Sequence, residues 1–369
     1  MPVAHRNEEP RVVNLSFLIY ERQGFMAKNL SLYAIIIFSL IACAEQDAPT
    51  SSWDTAFSVQ DSTELTMPDS LVPQSSVRAL AVVNDSLIAT PDGGSARIVL
   101  REKDGTLKQT IGESGEGPGE FEYLAYIAAD EAGNIYAHDM AGPRVSVFSQ
   151  GEDGYAFERR FSLSNEVVDM MIMGDHLYTL SSTGDYLLTK YTLEGDIVGE
   201  TLEPSGSDYQ TFAARFNLGG MTSLGDSLLA VVTPATDAVH FYEDDLSVAA
   251  QVDDLQGLPE VPAFPDGLNP YDYTDEHAEW WSASWHPIDV HAVTDTTYGI
   301  VSYKPDGQDV EGQRMHLFSA EDDELVMTVD IPDSMFIVHA DGRNVFGSLD
   351  PTSENGTEIA TRLIRYAFE

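Results

Sequence analysis

The sequence predicts an all-β fold, a six-bladed β-propeller of four-stranded antiparallel blades whose last blade is closed by an N-terminal strand. Three repeating features predict it. Short apolar strands recur behind a turn at Asp85-Ser86-Leu87, Gly133-Asn134-Ile135, Gly174-Asp175-His176-Leu177, Gly225-Asp226-Ser227-Leu228, Asp295-Thr296-Thr297-Tyr298 and Arg343-Asn344-Val345. A further strand follows each of these. It reads Arg144-Val-Ser-Val-Phe148, Arg314-Met-His-Leu-Phe318 and Arg362-Leu-Ile-Arg-Tyr366 in its clearest copies, and Arg97 to Leu100, Leu187 to Tyr191 and Ala238 to Tyr242 fill the same slot. Then comes an acidic hairpin turn, as at Lys103-Asp104-Gly105, Glu152-Asp153-Gly154, Glu194-Gly195-Asp196, Glu243-Asp244-Asp245 and Glu321-Asp322-Asp323, where Asp and Gly meet the backbone demands of a tight reversal.

The equivalent positions Arg101, Phe148, Tyr191, Tyr242, Phe318 and Tyr366 are separated by 47, 43, 51, 76 and 48 residues. Four strands in roughly 40 to 50 residues is the size of a propeller blade. One blade alone leaves both faces uncovered, whereas six in a ring cover each other and lose most of their open edges. The sixth copy runs out of chain after its third strand. Ser62 to Ser70 resembles Met327 to Ser334, the fourth strand of the fifth copy, so the segment around Glu64 to Met67 is expected to supply the missing strand.

Taken in order, the chain opens with a leader over residues 1–43. Met26, with Lys28 close behind, precedes a 13-residue apolar run from Leu30 to Ala42, too short to span a bilayer and suited to a secretory signal. Met26 is therefore the expected true start. Leu40-Ile41-Ala42-Cys43 resembles the lipobox of bacterial lipoproteins, which implies lipidation of Cys43. This is the chain's one cysteine, so no intrachain disulfide is available to an exported protein. Ala44 after it implies, by the same resemblance, outer-membrane retention. Residues 44–55 are polar and read as a tether, with the propeller expected over 56–369.

Composition limits the partners. Sixty-one Asp and Glu face 19 Lys and Arg, for a formal charge of −42. Such a surface repels nucleic acid phosphates and anionic headgroups, which excludes a nucleic-acid role and leaves the lipid anchor as the membrane contact. The bias toward Arg, 14 against 5 Lys, together with the carboxylates, suggests adaptation to high salt; a merely acidic exported protein is the alternative.

Ile111 to Phe148 is the most complete copy of the repeat. Gly117, Gly119, Glu120, Phe121, Asp130, Gly133, Asn134, Ile135, Tyr136, Asp139, Arg144, Val145, Val147 and Phe148 match the pattern of the NHL repeat. Glu122-Tyr123-Leu124 stands where that family usually has a Pro. With the lipobox, the chain resembles six-bladed propeller lipoproteins of Bacteroidetes-like bacteria. The resemblance implies the fold and an envelope location, and leaves activity open. The glycines at 112, 115, 117 and 119 lack the Lys-Ser/Thr of a phosphate-binding loop and sit among Glu113, Glu116 and Glu120, so they read as a connector between blades.

Innermost strands line a propeller's channel, and four side chains are expected there: Arg78, Asp169, His291 and His339. His240 and His316 fall on third strands, away from the axis, and His176 in a turn. No H-x-H or G-x-S-x-G pattern occurs. The 76-residue interval holds an insertion at about 255–286. Its second half carries Tyr271, Tyr273, Trp280, Trp281 and Trp285, with Thr274 placed to cap a helix from Asp275. Trp281 and Trp285, four apart, would share a helical face. Two readings compete, a helix packed over one mouth of the ring and an aromatic platform for a sugar or a protein. The expected function is a lipid-anchored envelope module binding a protein or carbohydrate, with no cofactor. The alternative is a metal-dependent hydrolase or lyase of lactonase type, with calcium in the channel.

Overall fold

The structure is a computed structural model; residues 50–65, 77, 79–204, 217–234, 238–253, 255, 258, 275–306, 309–333, 335–349 and 361–368 are described. The leader with Met26 and Cys43, the tether up to residue 49, and Arg78, Tyr271, Tyr273 and Thr274 lie outside them. No helix of the described residues is long and apolar enough to cross a membrane.

Six sheets are arranged as the repeat requires. Counting outward from the channel, blade 1 is Ala81–Val82, Leu87–Asp92, Arg97–Glu102 and Leu107–Ile111. Blade 2 is Leu124–Ala129, Ile135–Asp139, Arg144–Gly151 and Gly154–Ser162, and blade 3 is Asp169–Met173, His176–Leu180, Leu188–Thr192 and Ile197–Thr201. Blade 4 is Gly220–Leu224, Leu228–Val232, Val239–Glu243 and Val248–Val252. Blade 5 is His286–Thr294, Thr297–Asp306, Asp309–Ser319 and Leu325–Asp330. Blade 6 is Met335–Ala340, Val345–Leu349, Arg362–Phe368 and, outermost, Phe57–Glu64 from the start of the domain.

One irregularity occurs in all six blades. The pairing of third with fourth strand breaks beside Arg101, Phe148, Tyr191, Tyr242 and Phe318, and the fourth strand carries one extra residue there: Lys108, Glu158, Val198, Ala249 and Val326. In blade 6 the extra residue is Gln60, beside Tyr366. A bulge adds twist to the outer strand, and its recurrence in the borrowed strand marks that strand as a true fourth member.

The apolar core divides into six clusters, one at each junction between neighbouring blades. Phe121, Ile135 and Phe148 pack with Ile98 and Leu100 across blades 1 and 2. Tyr136, Leu177 and Tyr191 join blades 2 and 3, Tyr178, Leu229 and Tyr242 join 3 and 4, and Phe241, Tyr298 and Phe318 join 4 and 5. Trp53, Ala56 and Phe57 fill the junction of blades 5 and 6, and Leu65 helps fill that of 6 and 1. Each sheet is buried by its neighbours, so the ring stands or falls as one body.

Two expectations about the N-terminal segment are corrected. The closing strand expected around Glu64 to Met67 ends at Glu64: Glu64 pairs with Arg362 as Asp330 pairs with Arg314, two residues from the match between Met67-Pro68-Asp69-Ser70 and Ile331-Pro332-Asp333-Ser334. A slip of two keeps every side chain on its expected face, which is why the sequence match survived it. The tether expected over 44–55 is also too long. Thr50–Ser52 adds a fifth, parallel strand to the outer edge of blade 5, and Trp53, stacked 4.1 Å from Phe57, is buried.

Candidate functional site

The repeat motif itself is structural. Asp139 accepts hydrogen bonds from the backbone N–H groups of Glu122, Tyr123 and Ala141 and pairs with Arg144 at 2.6 Å. Despite partial burial, those donors hold its carboxyl below the ordinary range. Asp130 likewise accepts from the Asn134 backbone, the Asn134 amide and the Tyr136 hydroxyl. In the glycine-rich connector, Gly119 takes φ +79° beneath Phe157, and Gly117 N–H donates to Glu120 at 2.8 Å. The loop's own carboxylate thus occupies the donor that a phosphate would need.

Third-strand histidines are structural as well. His316 shares a 3.1 Å hydrogen bond with Thr328, and His240 stacks on Tyr242. His176 opens the second strand of blade 3 and contacts Asp175.

The innermost strands enclose a channel of about 750 Å³ to which all six blades contribute. Asp169, His291 and His339, expected there from the sequence, line it, together with Tyr126 and Asp289. Asp169 opens its strand in blade 3. Its carboxylate accepts from its neighbour Met170 N–H and from Met221 N–H of blade 4, both at 2.8 Å. Asp289 approaches the same spot from blade 5 and accepts from Val290 N–H at 2.8 Å. Gly220 lies between them: a Cβ there would stand 1.8 Å from an Asp289 carboxylate oxygen, so only glycine lets that side chain in. His291 Nε2 is 3.3 Å from the other oxygen of Asp289 but poorly aligned for a hydrogen bond.

Burial, and after it the charge of Asp289, pushes the Asp169 carboxyl up to about 7. Burial opposes a charged His291, yet Asp289 outweighs it and raises this imidazole. His339 is driven down to about 4 by burial, with His291 adding to the effect. The Tyr126 phenol is raised by burial and by both carboxylates. A raised carboxyl means that the folded chain keeps a proton the unfolded chain releases, so this group lowers stability as pH climbs from about 4 to about 7. Asp169→Asn keeps an acceptor and removes the charge. Its melting temperature is expected to exceed the parent's above pH 7 and to equal it near pH 4; equal melting at both would refute the assignment.

Among the described residues, no three His, Cys, Asp or Glu side chains converge closely enough to hold a metal ion. Asp289 is one of the channel groups not expected from the sequence, with Tyr126 and Arg343 among the others, although Asp289-Val290-His291 spaces both side chains to one face of a strand. His138, buried with neither ring nitrogen hydrogen-bonded and held near 4 by burial, was missed too.

The insertion delivers the expected helix at Asp275–Ser282. Its tryptophans part company. Trp281 is buried, stacks 3.6 Å from His286, donates to the Tyr303 hydroxyl at 3.1 Å and offers its carbonyl to His286. Trp285 is not on the helix, because the chain must extend to begin blade 5 at His286, so the expected shared face with Trp281 does not form. It lies instead against Arg314, 4.4 Å from ring centre to guanidinium. Trp280 and Trp285 stay half-exposed. Trp281→Ala is therefore expected to lose about 3–5 kcal/mol of stability, and the alanine variants of Trp280 and Trp285 about 1 kcal/mol or less, in denaturant titrations.

In an antiparallel four-stranded blade, the turns between strands one and two and between three and four share one face of the ring. The middle turns and the blade-to-blade connections share the other. The first face presents Asp85, Asp104, Asp153, Asp175, Asp226 and Glu321 to solvent. The second exposes Tyr123, Met140, Tyr186 and Leu218, and it is also where the helix and its tryptophans lie. The remaining large exposed apolar residues of the described chain, Val59, Ile197, Val198, Val248 and Val326, are on the fourth strands of their blades.

Ring, channel and blade order define a six-bladed β-propeller. The sequence agrees: residues 69–225, from ahead of blade 1 to the inner strand of blade 4, match the family model DUF5128, described as a 6-bladed beta-propeller. A search of curated proteins gave no match. Among solved structures, the chain is similar to one described as an exported protein of Bacteroides fragilis, at 14% identity and a TM-score of 0.64, covering 88% of this chain and 98% of that one. It is also similar to a member of the duf4221 family from Bacteroides vulgatus, at 10% identity and a TM-score of 0.55, covering 85% and 97%. Likenesses this remote speak for the fold alone.

Proposed function

We propose that the protein is an exported, lipid-anchored module of the cell envelope that binds a protein or a carbohydrate on the face bearing Trp280 and Trp285. The contrast between the two faces carries this reading. Carboxylates are exposed on both faces, but the exposed aromatic and large apolar loop side chains gather on this one alone among the described residues, and flat rings with a polar edge suit both sugars and protein partners. The anchor rests on Leu40-Ile41-Ala42-Cys43 and the outer-membrane address on Ala44. Labelled palmitate should enter the parent and not Cys43→Ser. Binding is tested by titrating envelope polysaccharides and envelope proteins against the parent and against Trp280→Ala and Trp285→Ala. Loss of binding at unchanged melting temperature supports the face; binding untouched by either variant removes it. Adaptation to high salt belongs to the same proposal, and a melting temperature that fails to rise between low and molar salt counts against it.

A second reading places hydrolase or lyase chemistry in the channel, with a divalent cation such as calcium. Asp169, with its carboxyl near 7 beside Asp289 and His291, favours acid–base chemistry there, although among the described residues these side chains do not converge closely enough to hold the cation. Stoichiometric calcium or zinc in the purified protein would support this reading over the first.

A further inference from the structure

The channel carries an imbalance that the binding face does not explain. Among the described residues five carboxylates line it, Asp169, Asp226, Asp289, Asp295 and Asp341, against one guanidinium, Arg343. Arg343 sits in the turn that follows the inner strand of blade 6, as Asp226 and Asp295 follow those of blades 4 and 5. These belong to the face opposite the tryptophans. Asp169 opens its strand and so lies toward the opposite mouth, where the described lining holds no Lys or Arg. The two carboxylates nearest that mouth are held by backbone donors, and among the described residues the basic side chain beside them is the His291 imidazole, 3.3 Å from Asp289.

Three features of this half of the channel point to what would balance it. Gly220 is the position at which a side chain would expel Asp289, so the local backbone admits the second carboxylate rather than excluding it. His291 is 92% buried by its 8% exposure, lines the cavity, and has an Nε2 atom in ionic contact with Asp289 but with no hydrogen-bond partner. Tyr126, from blade 2, brings an aromatic ring to the same cavity. A metal ion wants three or more close oxygen or nitrogen ligands. Two carboxylates with an aromatic wall suit an ammonium group instead, which donates hydrogen bonds in several directions and is attracted to a ring face.

We propose that the half of the channel lined by Tyr126, Asp169, Asp289 and His291 binds an organic cation carrying a primary ammonium group. The site lies toward the tryptophan-bearing face but uses none of its tryptophans, so failure of either reading leaves the other standing. The groups facing Asp169 are Tyr126 from blade 2, the Met221 N–H from blade 4, and Asp289 and His291 from blade 5, with His339 of blade 6 behind His291. A bound ammonium favours the ionised carboxylate. Binding should therefore release a proton below about pH 7 and tighten as pH rises through that value.

The primary ammonium of an amino sugar and that of a lysine side chain share this chemistry, and calorimetric titration of the purified full chain separates them. The probes are glucosamine and Nα-acetyl-lysine amide, with N-acetylglucosamine and the Nε-acetylated lysine as neutral counterparts and calcium chloride as a metal control. One ammonium probe should bind, its acetylated counterpart should not, and the heat should depend on buffer in the sense of proton release. Asp289→Asn is expected to weaken binding about tenfold or more, the usual effect of removing one charged partner, and Tyr126→Leu to weaken it by less. Asp169→Asn should weaken it and abolish the proton release; if that variant does not fold, Asp289→Asn decides alone. Silence from both ammonium probes at millimolar concentration, equal binding of the acetylated forms, parent-like affinity in Asp289→Asn, or binding of calcium alone would each overturn the proposal.

Discussion

A chain that begins at Leu65 is expected not to fold at all. It lacks Trp53 and Phe57, two buried aromatic side chains in the junction of blades 5 and 6, and the eight-residue strand Phe57–Glu64. Cutting a buried aromatic side chain back to alanine costs about 3–5 kcal/mol, so the pair alone removes about as much as the 5–15 kcal/mol that holds a typical domain together. The deletion also bares the edge of Arg362–Phe368 and unpairs Arg365 from Asp61. Loss should be global, because each blade is buried by its neighbours. Circular dichroism and near-ultraviolet spectra of the truncated chain should show no cooperative transition. A truncated chain that melts like the parent would sink the closed-ring account.

The second large effect is asymmetric. Lys190 of blade 3 is almost wholly buried, and its ammonium donates at 2.8 Å to the carboxylate of Asp244 and at 2.6 Å to its carbonyl, in a hairpin turn of blade 4. The Tyr178 hydroxyl donates to the same carboxylate at 2.6 Å. Asp244→Ala leaves the buried ammonium with the carbonyl alone and should cost about 2 kcal/mol, less than a fully buried pair because Asp244 is half-exposed. Lys190→Met should be nearly neutral, since an apolar chain of similar length fills the space and Tyr178 keeps its bond to Asp244. Chemical denaturation of the two variants checks the contrast, and equal losses would show that it is not burial that sets the cost. The bond from Lys190, then that from Tyr178, holds the Asp244 carboxyl below its ordinary value. Its contribution is therefore present above about pH 4 and fades as pH falls below it.

These two cases show what could be read from the residues and what could not. The blades were legible because each carries the same turn and the same third-strand pattern, and the borrowed strand because its exit matches that of blade 5. Its register was misplaced by two residues, since the match of Met67-Pro68-Asp69-Ser70 to Ile331-Pro332-Asp333-Ser334 fixes a face and not a rung. Asp169, His291 and His339 followed from their places on inner strands. Lys190 and Asp244 did not, because they are 54 residues apart and meet across a junction. Asp244 looked like any acidic turn residue, and nothing local distinguishes a turn that reaches a neighbouring blade. Trp281 and Trp285 were misjudged for a different reason: helical spacing was extended past Ser282, into residues that must straighten to enter a sheet.

The arrangement at the start of the domain also fixes how the molecule answers a pull. Thr50–Ser52 lies along the edge of blade 5 and Phe57–Glu64 along the edge of blade 6, so the polypeptide fastens two neighbouring sheets before it enters the first. Tension arriving through residue 49 is borne by that fastening first. Where that tension runs along the strands, rows of hydrogen bonds must shear together instead of peeling one by one. Mechanical strength and ring closure are therefore vested in the same fifteen residues, Thr50–Glu64.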